Sequence, residues 1–179
     1  PFMVMATQNS VEYEGTFPLP EAQLDRFLLM IVLGYPTPDE ELAIVENQRF
    51  SHPIESLTPV ATGDEILQLQ EASKQVYVAD LIKQYIISLI GATRDNDDIS
   101  LGSSPRGSLA LFRGAQAMAL TGGRDYVLPD DIKELAGPMI SHRIIVSAAA
   151  RMRGVQGRDV IDDLLDRVPV PGAQAPGPG

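Results

Sequence analysis

Three residues have types and settings suited to phosphate chemistry: Asn9, Arg26 and Arg106. Asn9 follows Phe2-Met3-Val4-Met5-Ala6-Thr7, a continuously apolar run that reads as a buried strand. In open parallel sheets, ligands bind outside the carboxyl ends of the strands. A carboxamide there can hydrogen-bond a phosphate oxygen or orient a water, and it can equally start a turn. Arg26 sits in Leu24-Asp25-Arg26-Phe27, where the leucine and phenylalanine anchor a short helix and the arginine projects. A planar, permanently charged guanidinium suits phosphoryl oxygens as charge develops on them. The plainer alternative is an intrahelical pair with Asp25 or Glu21. Arg106 lies in Gly102-Ser103-Ser104-Pro105-Arg106-Gly107, in the first turn of a helix. That end of a helix attracts anions, so a cation there works against the helix. Such local conflicts cluster at functional sites; an ordinary surface arginine is the alternative.

The elements that must position these residues fall into two parts. Residues 2–7 and Leu28-Leu29-Met30-Ile31-Val32-Leu33 read as two buried strands, with a short helix over Glu21 to Phe27 between them. They look like the last strands of a larger sheet. After Gly34-Tyr35-Pro36 the pattern becomes helical. Thr37-Pro38-Asp39-Glu40 and Thr62-Gly63-Asp64-Glu65 are capping boxes, opening helices to about Arg49 and Ser73. Val76 and Val78 fit a short extended piece. Leu81, Ile82, Tyr85, Ile86, Leu89 and Ile90 recur at helical spacing. Thr93 to Ser103 reads as a polar loop. Ser104-Pro105 caps a helix through about Thr121, ended by Gly122-Gly123. Another helix starts at Leu128-Pro129-Asp130-Asp131 and ends near Gly137-Pro138 or a little later. His142 to Ala150 is open between helix and strand, and Arg158 to Arg167 reads as a final helix. Residues 172–179 are rich in Pro, Gly and Ala and are expected to be disordered.

Composition narrows the function classes. The 179 residues are 44% apolar, enough for one or two globular domains. No apolar run approaches the length of a membrane span, and no signal peptide is visible. The net charge of -10 repels phosphate backbones, so nucleic acid is not an expected partner. Arg151, Arg153 and Arg158 make the densest basic cluster, short and without interleaved aromatics, and read as a solvated surface. There is no cysteine, which removes disulfides and thiolate metal sites and fits a cytoplasmic location. His52 and His142 are isolated, so no metal site is expected. None of Lys74, Lys83 and Lys133 follows a glycine, so the phosphate loop G-x-x-x-x-G-K-[ST] is not in this sequence. Asp64-Glu65 and Asp130-Asp131 belong to helix starts rather than to a Mg²⁺-binding strand end.

The segments Ala6 to Asn9, Glu14 to Phe27 and Ser104 to Arg106 resemble MoxR-type AAA+ ATPases, and the resemblance extends over about residues 1–171. It implies an α+β chain: residues 1–36 finish a P-loop NTPase α/β core, and residues 37–171 form an all-α AAA+ lid. It implies that Asn9 is sensor 1, Arg26 the arginine finger and Arg106 sensor 2. Gly34-Tyr35-Pro36 resembles the core–lid junction. Ser10 departs from the pattern, since many relatives carry Pro there, and is expected to alter loop stiffness rather than chemistry. His142-Arg143-Ile144 also recurs in such lids, with no chemical role evident from the sequence. The implied cofactors are ATP and Mg²⁺, both bound largely by residues outside this chain, so the chain alone is expected to be inactive. The implied partners are further subunits in a ring, usually a hexamer, and von Willebrand factor A-domain proteins, with chaperone-like remodelling as the activity. The alternative is a non-catalytic helical protein-interaction module. A helicase-loader-like role on DNA is disfavoured by the charge.

Overall fold

The computed structural model describes residues 1–8, 19–49 and 52–172. Every buried residue among them lies between Val76 and Leu164, so the core belongs to the part of the chain from Val76 onward. Four helices build it: α4 (Asp80–Ala92), α5 (Pro105–Thr121), α6 (Pro129–Ile140) and α8 (Gly157–Arg167). Tyr85, Leu89, Ile90, Leu111, Ile132, Met139, Ile140 and Ile161 are its largest fully buried apolar side chains. The helical spacing of the apolar residues in α4 is what turns Ile82, Tyr85, Ile86, Leu89 and Ile90 inward together. α5 approaches α6 closely at Gly114, where an added Cβ would stand 2.4 Å from the Met139 methyl.

The helix starts read from the sequence are present. α2 (Pro38–Asn47) and α3 (Gly63–Gln75) each begin with a complete capping box, from Thr37 with Glu40 and from Thr62 with Glu65. Those hydrogen bonds hold the Glu40 and Glu65 carboxyls below their ordinary value. Asp64-Glu65 and Asp130-Asp131 open α3 and α6, as expected. α5 ends where Gly123 takes φ +70, the left-handed conformation that favours glycine. α6 runs through Pro138 to Ile140.

Other expectations are corrected. The helix at Glu21 stops at Leu24 (α1, Glu21–Leu24) instead of reaching Phe27. Residues 2–7 and 28–33, read as the last strands of a larger sheet, form no ladder here and expose their apolar side chains, as strands without their sheet neighbours do. A strand is defined by its neighbour, and among the described residues neither run has one. The segment read as a polar loop contains β1 (Ile99–Leu101), and the ambiguous stretch after His142 contains β2 (Ile145–Val146) and α7 (Ala148–Met152). β1 and β2 pair antiparallel, Ile99 with Val146 and Leu101 with Ile145. The piece at Val76 and Val78 is extended, with Tyr77 bridged to Tyr126. Asn9, Ser10 and residues 14–18 of the Glu14 to Phe27 stretch lie outside the described residues, as does the tail from residue 173.

Candidate functional site

α5 is amphipathic about the groove it borders. Gly107, Ala110, Leu111, Gly114 and Ala115 face the core, while Arg106, Leu109 and Arg113 follow one another at helical spacing on the outer face. Opposite them runs the segment that leaves α1. Together they enclose an open groove of about 360 Å³ lined by Asp25, Arg26, Leu28, Arg106, Arg113 and Arg143, among others. Four guanidiniums thus face one carboxylate, in a chain whose net charge is -10. The groove is a local anion-attracting surface on an acidic protein.

Two sets of bonds fix Arg106. Ser104 caps α5, its hydroxyl accepting from the Arg106 amide at 3.2 Å. The loop before it is strapped down: the Ser103 amide donates to the Thr93 hydroxyl at 3.0 Å, and Arg94 Nε donates to the Ser103 carbonyl at 3.0 Å. Gly102 lies against this strap, where an added Cβ would meet the Thr93 carbonyl oxygen at 2.7 Å and the Arg94 Cα at 2.8 Å. The Arg106 guanidinium then reaches Asp25 Oδ2 at 3.1 Å, with 60% of its side chain exposed. Ser104 Oγ also donates to Asp25 Oδ2, at 3.3 Å.

Arg26 is exposed and has no side-chain partner among the described residues. The intrahelical pair with Asp25 does not form, because the Asp25 carboxylate is already held by two other arginines. One is Arg106. The other is Arg143, whose Nη1 donates to Asp25 Oδ1 at 2.8 Å.

Arg143 is the residue that sequence reading left without a role. Its side chain is 3% exposed, and every donor position is used. Nε donates to the Met139 carbonyl at 2.7 Å, Nη1 also to the Asp25 carbonyl at 2.7 Å, and Nη2 to the Phe27 carbonyl at 2.6 Å and the Leu28 carbonyl at 3.4 Å. The position follows from helix chemistry. The last carbonyls of α6 have no intrahelical donors, and a cation is favoured at that end. Met139 gives its carbonyl to Arg143, and Pro138 gives its own to the Met30 amide at 2.9 Å. His142 beside it bonds through Nε2 to the Phe27 carbonyl at 3.1 Å. Since a carbonyl only accepts, Nε2 carries the proton. Burial pushes the His142 pKa below its ordinary value, so the ring stays neutral while holding that contact. The sequence clue to this arrangement was a basic pair closing a helix, a signal shared with many ordinary helix ends.

The basic cluster after α7 is largely self-neutralised. Arg153 pairs with Asp98, and Arg158 pairs with Asp162 at 3.0 Å. Among the described residues no group of three or more His, Cys, Asp or Glu side chains is arranged to hold a metal ion, and no helix is long and apolar enough to cross a membrane.

Known proteins resemble this chain over nearly its whole length. Residues 91–164 match the AAA lid domain, and residues 1–29 match the ATPase family associated with various cellular activities. The chain is 48% identical to the uncharacterized protein YeaC of Bacillus subtilis, over 96% of this chain and 53% of that protein. It is 37% identical to the chaperone MoxR1 of Mycobacterium tuberculosis, over 98% of this chain and 48% of that one. A crystal structure of a candidate ATPase from Cytophaga hutchinsonii superposes with a TM-score of 0.85 at 38% identity, covering 95% of this chain and 54% of the other. The chain therefore spans about half the length of the relatives it matches. With the lid matched over its helical core, and with the arginines of the closing core segment and the lid meeting in one groove, the chain belongs to the MoxR-type AAA+ ATPases.

Proposed function

We propose that this chain supplies the closing stretch of the core (residues 1–36) and the helical lid (residues 37–171) of an ATP-hydrolysing, chaperone-like remodelling ATPase. The observation that carries the reading is the convergence of Arg26 and Arg106 on one groove, with Arg26 free of any side-chain partner among the described residues. An unpaired guanidinium beside an exchangeable one suits the oxygens of a polyphosphate. ATP supplies the phosphoryl group, and Mg²⁺ supplies charge neutralisation at its oxygens when bound. The acidic ligands for that metal are expected from outside the described residues.

In this reading ATP lies at a subunit interface of a ring, a hexamer by analogy. Arg26 projects into the neighbouring subunit's site and stabilises charge as it develops on the transferred group. Arg106 exchanges Asp25 for a phosphate oxygen and so links nucleotide state to the lid. Asn9 contacts the terminal phosphate or orients the attacking water, a role that rests on the sequence motif alone. Von Willebrand factor A-domain partners are proposed on the same analogy, as is a cytoplasmic setting. A purely non-catalytic interaction module has no need of a partner-free arginine in a cationic groove. The test is Arg26→Ala in the intact protein. Turnover is expected to fall at least about 1000-fold with ATP binding retained; undiminished hydrolysis sinks the assignment.

A further inference from the structure

We infer that Arg143 is a positioning residue: acting through Asp25 and the carbonyls of residues 25–28, it sets the direction in which Arg26 projects and ties Arg106 to the same face. The inference rests on reading Arg26 and Arg106 as phosphate-facing. The guanidinium of Arg143 joins parts of the chain 118 residues apart, from the end of α6 to the turn that carries Arg26. It holds the carbonyls on both sides of Arg26, those of Asp25 and Phe27. Beyond Leu24 the amides of Arg26 and Phe27 bond to the carbonyls three residues back, those of Gln23 and Leu24, and the Asp25 and Phe27 carbonyls turn to Arg143. With its flanking peptides fixed from below, Arg26 points outward into the groove.

Asp25 makes the arrangement more than a tether. Its two oxygens serve two arginines of different character. Oδ1 binds the buried Arg143, and Oδ2 binds Arg106, whose side chain is largely exposed. The first contact is permanent and the second can exchange with an incoming anion. The buried guanidinium compensates the Asp25 charge when Arg106 leaves, so the turn is not released at that moment. His142 and the Met30 amide add further bonds between the same two parts of the chain.

Lysine cannot replace Arg143, because a single ammonium cannot reach Met139, Asp25, Phe27 and Leu28 with the fork geometry these bonds use. Turnover and ATP binding of Arg143→Lys, Asp25→Asn and Arg26→Ala are measured in the intact protein, together with amide exchange of the 179-residue chain. Arg143→Lys and Asp25→Asn are expected to lower kcat about 100-fold, the cost of an ångström-scale misplacement. The ATP bound per subunit and the KM should stay within about twofold, since the interaction lost belongs to the transition state. In the chain itself, Arg143→Lys should speed exchange at the Met30 amide while the middle of α5 keeps its protection. Normal kcat in Arg143→Lys and Asp25→Asn, beside a crippled Arg26→Ala, overturns the positioning role and leaves the finger assignment standing. Unchanged exchange at Met30, or a loss of protection spread over α5, also overturns it. Full turnover in Arg26→Ala overturns both readings together.

Discussion

At the scale of single residues, the buried charges are matched by partners reached through specific geometry. Asp131 is the clearest case. Its side chain is 7% exposed, and it accepts from Arg124 at 2.6 and 2.9 Å and from the Leu128 amide at 2.7 Å. Burial pushes its carboxyl up, but the Arg124 and Leu128 hydrogen bonds win and hold it below its ordinary value. Its contribution to stability is therefore present above the ordinary range and lost as pH falls through the folded value. Arg124→Ala would leave this carboxylate buried and unpaired, at a cost of about 3 kcal/mol measurable by denaturant unfolding. His142 is shifted in the same direction for a different reason, burial of its ring. Its folded pKa lies below the ordinary 6.5, so the unfolded chain binds a proton that the folded chain refuses. Stability is full above that value and declines as pH falls from it toward the folded pKa. His142→Gln should flatten this part of the pH–stability curve; an unchanged slope would place the imidazole in solvent.

At the scale of elements, the start of α5 is the part most dependent on close packing. The strap from Thr93 and Arg94 to Ser103 fixes the cap at Ser104 and with it Arg106. Gly102→Ala would push a methyl group into the backbone of residues 93 and 94. We expect a loss of about 1–3 kcal/mol in thermal or denaturant unfolding, accompanied by displacement of Arg106. The β1–β2 pair complements this strap. It joins the loop leading to α5 with the chain leaving Arg143, and Ser100 Oγ reinforces it by donating to the Ile145 carbonyl at 3.0 Å. α3 differs from the core helices, since none of its residues is buried and its start depends on Thr62. Thr62→Ala is expected to cost about 1 kcal/mol of local helix stability, visible as faster amide exchange in its first turn with little change in global unfolding.

At the scale of the whole molecule, the chain is a well-packed helical domain with a long, exposed leading part. Among the described residues every fully buried one lies between Val76 and Leu164, whereas Phe2, Met5, Val32, Leu33, Tyr35 and Val60 are each more than 80% exposed. Apolar surface on that scale marks a face made to be covered. A variant beginning at Val76 should still unfold cooperatively; loss of the sigmoidal transition would mean that the residues before Val76, α3 among them, contribute to the core's stability.

The sequence by itself determined what is local. Capping boxes at Thr37 and Thr62, the Ser104-Pro105 start and the Gly123 stop are decided within about four residues, and all are present. The residue types at Arg26 and Arg106, and the family resemblance around them, pointed to the proposed phosphate-facing roles without giving their geometry. Tertiary structure alone decided that Asp25 serves Arg106 and Arg143 rather than Arg26, that α1 ends early, and that β1 finds β2. It also left residues 2–7 and 28–33 without a ladder. The physical reason is distance along the chain. A guanidinium 118 residues away leaves no periodicity or cap at Asp25, and a strand takes its identity from a neighbour its own residues do not name.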